Sequence, residues 1–291
     1  MKKIISLFLF MVMACGVYAR TIDVVASYTG ASHLDQAQVN ATMALTLDTL
    51  VGFQARMSHE RVFKDPVYSV ALPVSLDIDM VRISLRPFYY FKNNSHEDAY
   101  QDAGAFGVYG QLRMTLLENE VDGVYTHAYI SAAAARQKGT VFYDESPDEN
   151  RYYSQTAYMF GMSHVMYNAF YFEMAGTAFQ YPDGISGVRG VRSILDQQSL
   201  ANLQTLDVVH ELPRYTVGAR LTRMWQENGS SLYVGYRYGE FYNVEDEYSV
   251  MVGNSFPLGK GISADIAYNH VRTVHDHNKR DIFYIQLTAS F

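Results

Sequence analysis

A set of ionisable side chains recurs at the polar positions of segments that alternate apolar with polar: Arg56, Arg82, Arg86, Arg113, Arg220 and Arg237, with Asp23, Glu173 and Asp265. In an extended chain successive side chains point to opposite faces, so these charges share the face opposite the apolar one. Arginine is a fixed cation at any ordinary pH, and a wall that carries it together with carboxylates can sort charged solutes or brace itself through ion pairs. The residue types allow either. Bond-making chemistry is poorly served by comparison. Ser163 and His164 are adjacent, which turns the two side chains apart in a strand. His96-Glu97-Asp98 and His275-Asp276-His277 are isolated runs without a full set of metal ligands. The sequence holds no phosphate-binding glycine loop and no nucleophile motif, so no catalytic residue, metal site or cofactor is expected.

The elements that must position the charges follow from periodicity. Asp281 to Phe291 reads D-I-F-Y-I-Q-L-T-A-S-F, in which Phe283, Ile285, Leu287, Ala289 and Phe291 alternate with Tyr284, Gln286, Thr288 and Ser290. That is a strand, and it ends on a terminal aromatic residue. The alternation recurs through Ile22 to Tyr28, Val39 to Leu47, Val51 to Met57, Tyr68 to Leu76, Val81 to Phe91 and Phe106 to Leu116. It resumes, with ambiguous parity, from Val121 to Ala135, then through Tyr152 to Ser163, Tyr167 to Tyr181, Tyr215 to Leu221, Leu232 to Tyr238, Tyr248 to Phe256 and Ile262 to Tyr268.

Short turns are expected at Asp48-Thr49-Leu50, where Leu47 would pair Val51, around Asp77 to Met80, at Glu118-Asn119-Glu120, near His164, at Asn228-Gly229 and at Pro257 to Lys260. Long polar connections are expected at Gly30 to Ala37, Glu60 to Pro66, Asn93 to Asp102, Arg136 to Asn150, Pro182 to Pro213, Glu245 to Glu247 and Thr273 to Arg280. Long and short therefore alternate. This predicts an all-β fold, a transmembrane antiparallel up-and-down β-barrel of about fourteen strands, with about twelve and sixteen as its bounds. So wide a ring cannot fill its lumen with wall side chains alone and needs water or a plug. Of the 24 tyrosines, Tyr28, Tyr89, Tyr152, Tyr181, Tyr242 and Tyr268 lie near strand ends, where an interfacial girdle would sit.

Residues 1–19 read as a secretory signal peptide: Lys2-Lys3, an apolar run from Ile4 to Ala14, and Val17-Tyr18-Ala19 before Arg20. The barrel then occupies 20–291. Val12-Met13-Ala14-Cys15 offers a rival processing box with a lipid on Cys15, although a strand starting at Thr21 leaves it almost no tether. Cys15 is the only cysteine, so cleavage after Ala19 removes disulfides, thiol nucleophiles and cysteine metal cages from the mature chain. The formal charge is −7 and becomes more negative once Lys2 and Lys3 leave, which argues against nucleic acid as a partner. No later segment has the roughly 18 continuous apolar residues of a membrane helix, so a membrane can be spanned only by a closed barrel.

The final strand resembles the C-terminal strand of bacterial outer-membrane β-barrels, and the repeated alternation extends that likeness along the chain. The resemblance implies that Phe283, Ile285, Leu287 and Phe291 form a signal read by the barrel assembly machinery, and that outer-membrane lipid surrounds the wall. The placement of the charges is similar to the transverse field of general diffusion porins: Arg56, Arg82, Arg86 and Arg113 on the third, fifth and sixth strands, Asp23 and Asp265 on the first and thirteenth. Arg82, Arg86 and Arg113 are expected at similar depth, while Glu173, Arg220 and Arg237 blur the division. Ile185 to Glu211, with partial helical periodicity at Ile194, Leu195, Leu200, Leu203, Leu206 and Val209, would fold inward like a porin constriction loop or cap the outside. The expected function is a porin-like passive channel for small hydrophilic solutes. A non-transport surface barrel, as adhesin or scaffold, and a transporter of apolar molecules remain the alternatives; the second is weakened because the first strand leaves no room for an N-terminal plug.

Overall fold

A computed structural model describes residues 21–31, 34–60, 66–91, 104–143, 146–183, 188–189, 212–242, 245–275 and 279–291. The signal peptide, His96-Glu97-Asp98, Asp276-His277 and all of Ile185 to Glu211 except Val188-Arg189 lie outside the described residues.

Each alternating segment is a strand. In chain order they are β1 (Ile22–Ala31), β2 (Leu34–Ala44), β3 (Thr49–Glu60), β4 (Val67–Ala71), β5 (Val74–Ile78), β6 (Val81–Tyr90), β7 (Ala105–Asn119), β8 (Val124–Tyr143), β9 (Ser146–Met166), β10 (Phe170–Gln180), β11 (Val188–Arg189), β12 (Pro213–Trp225), β13 (Ser230–Phe241), β14 (Glu247–Gly259), β15 (Ile262–Thr273) and β16 (Lys279–Ser290). β4 and β5 are halves of one stave, since both lie between β3 and β6. Leu72-Pro73 divides them because proline has no N–H to give to the ladder, although its carbonyl still accepts from the Gly52 amide at 2.7 Å. Among the described residues β11 pairs with β8 alone. β1 pairs with β16 from Asp23↔Ser290 to Ala31↔Ile282, which closes an antiparallel ring of 14 staves.

Closure leaves no free sheet edge around the ring, and alternation gives its two faces opposite character. Ile83, Leu85, Ile130, Phe160, Val234, Val252, Ile285 and Leu287 point outward and are exposed. Tyr233 at 4% exposure, Met251 at 3% and Asn269 at 1% occupy the inner parity of β13, β14 and β15, so the inward side chains cover one another along the wall. An exposed apolar belt around a closed ring is stable only in lipid, where a barrel satisfies every backbone group between its own strands. No helix among the described residues is long and apolar enough to cross a membrane, which says nothing of strands.

Several local expectations need correction. Only two residues join β1 to β2, so the polar stretch Gly30 to Ala37 is mostly strand rather than a long loop. The β2–β3 turn occupies residues 45–48, and Val51 pairs with Met43 instead of Leu47; both offsets are even, which is why the apolar face stays on one side. Arg136 to Asn150 is also not a loop. β8 and β9 pair almost to their tip, from Tyr125↔Val165 to Tyr143↔Ser146, and strands of 20 and 21 residues far exceed a membrane crossing. A crossing needs about 9–11 residues, so the ribbon projects well past the loop-side end of the ring. β11 pairs Val188 and Arg189 with Val141 and Thr140, placing those two residues on this projecting ribbon. The β9–β10 turn lies at Tyr167-Asn168, both at positive φ, and His164 is inside β9. Tyr181 packs against the inner cluster of Phe88, Ala133 and Phe179, whereas Tyr28, Tyr89, Tyr152, Tyr242 and Tyr268 are exposed.

Candidate functional site

Direct partners on neighbouring antiparallel strands share a face, so register alone assembles the inner wall. One row runs Asp77, Arg82, Arg113, Tyr129, Gly161, Ala175, Gly218, Arg237 and Ser249. The next joins His127, Ser163, Glu173, Arg220, Gly235, Met251 and Asn269.

The arginines expected on one level are not equivalent. Arg82 grips Asp77 with two parallel bonds, Nε to Oδ1 at 2.5 Å and Nη2 to Oδ2 at 2.7 Å, a fork that cancels both charges at the β5–β6 turn. Arg113 sits directly across from Arg82 and has no carboxylate partner among the described residues. Arg86 pairs across with Tyr109, four residues further along β6, or about 13 Å at the usual rise of ~3.3 Å per residue. Its guanidinium lies 5.2 Å from the Tyr109 ring centroid, with a long 3.4 Å contact to Gln54 Oε1. The expectation of three cations at one depth is therefore corrected. A like-charged trio would repel, and the chain instead neutralises one member and displaces another.

Arg56 is buried and donates from Nε to Gln38 Oε1 at 2.9 Å. Arg237 is buried opposite Ser249, in a recess that also contains Glu247. Glu247 accepts from Arg280 Nη2. Asp23 is exposed near the start of β1, whereas Asp265 lies level with Gln286 and Ser27, four residues further along, so the two aspartates do not form one patch.

Around β8 to β15 the carboxylates are held differently. The Tyr129 hydroxyl donates to Glu173 Oε1 at 2.9 Å, and the Tyr233 hydroxyl donates to Asp265 Oδ1 at 2.5 Å. Glu173 is 3% exposed, and its buried Oε2 has no hydrogen-bond partner among the described residues. Arg220 stands directly across from Glu173, yet its guanidinium stacks 4.2 Å from the Tyr233 ring centroid and its Nε donates to Thr222 Oγ1 at 3.2 Å. Opposite signs thus lie side by side on neighbouring strands. They do not divide into two walls facing across the lumen, which corrects the expected transverse field. Ser163 points inward opposite Glu173, whereas His164 points outward and meets Thr126 Oγ1 at 2.8 Å. The pair cannot share a proton.

Sequence reading missed Asp77, Tyr129 and Tyr233. Asp77 and Arg82 flank a two-residue turn symmetrically, a signal available once Ile78 is seen to pair with Val81. The tyrosines carry no such signal, because their partners lie two strands away.

No protein-family model matches the sequence, and no curated protein matches it. Solved structures match in shape. The CymD monoaromatic hydrocarbon channel superposes with a TM-score of 0.52 at 10% identity, over 93% of this chain and 88% of that one. OccAB1 of Acinetobacter baumannii gives 0.49 at 9% identity, over 94% and 97%. OpdK of Pseudomonas aeruginosa, solved with vanillate, gives 0.46 at 10%, over 93% and 97%. Of these three, CymD alone exceeds 0.5, and at such identities the likeness is one of fold. The fold of this chain is that of the porin-like outer-membrane barrels.

Proposed function

We propose that this chain is a passive channel of the bacterial outer membrane for small hydrophilic solutes, exported with a signal peptide that is removed after Ala19. The observation that carries the reading is the division of a closed ring into an exposed apolar outer face and an inner face bearing Arg113, Arg220, Glu173 and Asp265. Lumen charges and hydrogen-bonding groups offer a hydrated solute replacements for its water, while the apolar belt meets lipid. Phe283, Ile285 and Leu287 project outward on the closing strand and Phe291 is exposed just past its end, which suits a sequence read by the assembly machinery before closure. With uncommitted cations and carboxylates interleaved along the wall, charge selectivity should be weak.

A second reading, passage of apolar molecules, draws support from the inner clusters of Phe88 with Phe179 and of Met159 with Met251, and from the shape likeness to a channel described as carrying monoaromatic hydrocarbons. Swelling of proteoliposomes in sugars of graded size separates the two. Entry of small sugars with a sharp size limit is expected; sugar-tight vesicles that admit small aromatics would overturn the hydrophilic reading.

A further inference from the structure

Two tyrosines on the inner wall share one construction. Tyr129 on β8 is the direct partner of Gly161 on β9, and its hydroxyl reaches Glu173 on β10. Tyr233 on β13 is the direct partner of Gly253 on β14, and its hydroxyl reaches Asp265 on β15. Each ring lies flat across a neighbouring strand, with its tip tied to a carboxylate on the strand beyond. The middle strand matches in detail: Gly161 and Gly253 are each followed two residues later by a serine, Ser163 or Ser255, paired directly with that carboxylate residue.

Neither glycine is at positive φ, so backbone conformation does not explain it. Space does. A Cβ built on Gly161 would lie under 3.0 Å from the Cε2, Cζ and hydroxyl oxygen of Tyr129, and one built on Gly253 would lie equally close to the Tyr233 ring. The seat exists only because the side chain is missing.

We infer that Gly161 and Gly253 set the aperture of the lumen: each is a recess that keeps a tyrosine ring flat against the wall, and the carboxylate beyond it acts as the latch. The inference rests on the channel reading. A ring without its seat must turn away from the neighbouring strand, and the interior is the only side open to it, since both rings are on the inner face. Glu173 and Asp265 are positioning residues here as well as wall charges. A phenol donor fixes a carboxylate without cancelling its charge, so holding the ring and charging the lumen are compatible tasks.

Single-channel recording of refolded variants tests this, with the folded fraction checked by the gel mobility of unheated samples. Gly161→Ala should bring a measurable loss of conductance, because a ring turned into the lumen narrows it, and Tyr129→Ala introduced on top should restore the wild-type level. Should Gly161→Ala fail to fold, Glu173→Ala removes the latch without crowding the seat. It should lower mean conductance with added open-channel noise, and Glu173→Gln, which keeps an acceptor for the phenol, should recover a steady level. A folded Gly161→Ala channel with wild-type conductance, a loss that Tyr129→Ala does not relieve, or a steady wild-type current in Glu173→Ala would overturn the inference. A silent wild-type barrel would instead end the channel reading on which it rests.

Discussion

The inner wall holds its charges in two ways, and the contrast between β5–β7 and β8–β15 shows what each is suited to. At the β5–β6 turn Asp77 and Arg82 meet in a two-pronged ion pair that leaves little net field. Around Glu173 and Asp265 the carboxylates are tied to neutral phenols, and the nearby Arg220 lies over an aromatic ring instead of in an ion pair. The first arrangement staples a strand end. The second fixes the geometry of a charge while leaving the charge in place, as a surface that acts on ions requires. Position agrees with this division: the ion pair borders a short turn, while the phenol latches lie on the inner face of long strands.

The largest effect is expected from Arg113→Glu combined with Arg220→Glu, which replaces two uncommitted cations with anions. Reversal potentials should move strongly toward cation preference at about 0.01 M salt, where screening reaches ~30 Å, and weakly at about 1 M, where it falls to ~3 Å. The control, Asp77→Asn with Arg82→Gln, removes a pair already neutral and should move the potential little. Equal shifts from both variants would erase the distinction.

A smaller effect is expected on stability. Tyr233→Phe deprives Asp265 of a short bond, and removing a donor from a half-buried charged group should cost about 1–3 kcal/mol. Unfolding in denaturant, followed by loss of the heat-sensitive gel mobility, measures it. A change indistinguishable from wild type would mean that the latch contributes nothing. The smallest effect is expected from Asp77→Asn alone. Both partners remain about a third exposed, at 39% for Arg82 and 33% for Asp77, so the loss should be ~0.2–1 kcal/mol with a slight shift toward anions as Arg82 joins Arg113. A larger stability loss than that of Tyr233→Phe would reverse the proposed order.

How much of this was legible in the sequence depends on the range of each interaction. The strands, the closed ring and the outward set of Phe283, Ile285 and Leu287 follow from a period of two, a local property of the chain. Errors arose where periodicity cannot see. Gly30 to Ala37 is polar enough to pass for a loop because both of its strand ends face the wet rim, and Arg136 to Asn150 did so because a ribbon outside the lipid has no need of an apolar face. The site was less legible than the fold. The inward parity of Arg82 could be read, but its neutralisation by Asp77 depends on a turn only two residues long. The seating of Tyr129 on Gly161 joins residues 32 positions apart through a register that only closure of the ring fixes. A glycine in a strand marks a close approach without naming what approaches.

On the reading proposed above, this barrel encloses a conducting lumen whose opposing charges nearly balance. Recording wild-type protein in a planar bilayer across a tenfold salt gradient at low ionic strength tests it most directly. Discrete, ohmic current steps with a reversal potential close to zero are expected. Folded protein that inserts but passes no current, or current with the strong selectivity of a single-signed wall, would contradict it.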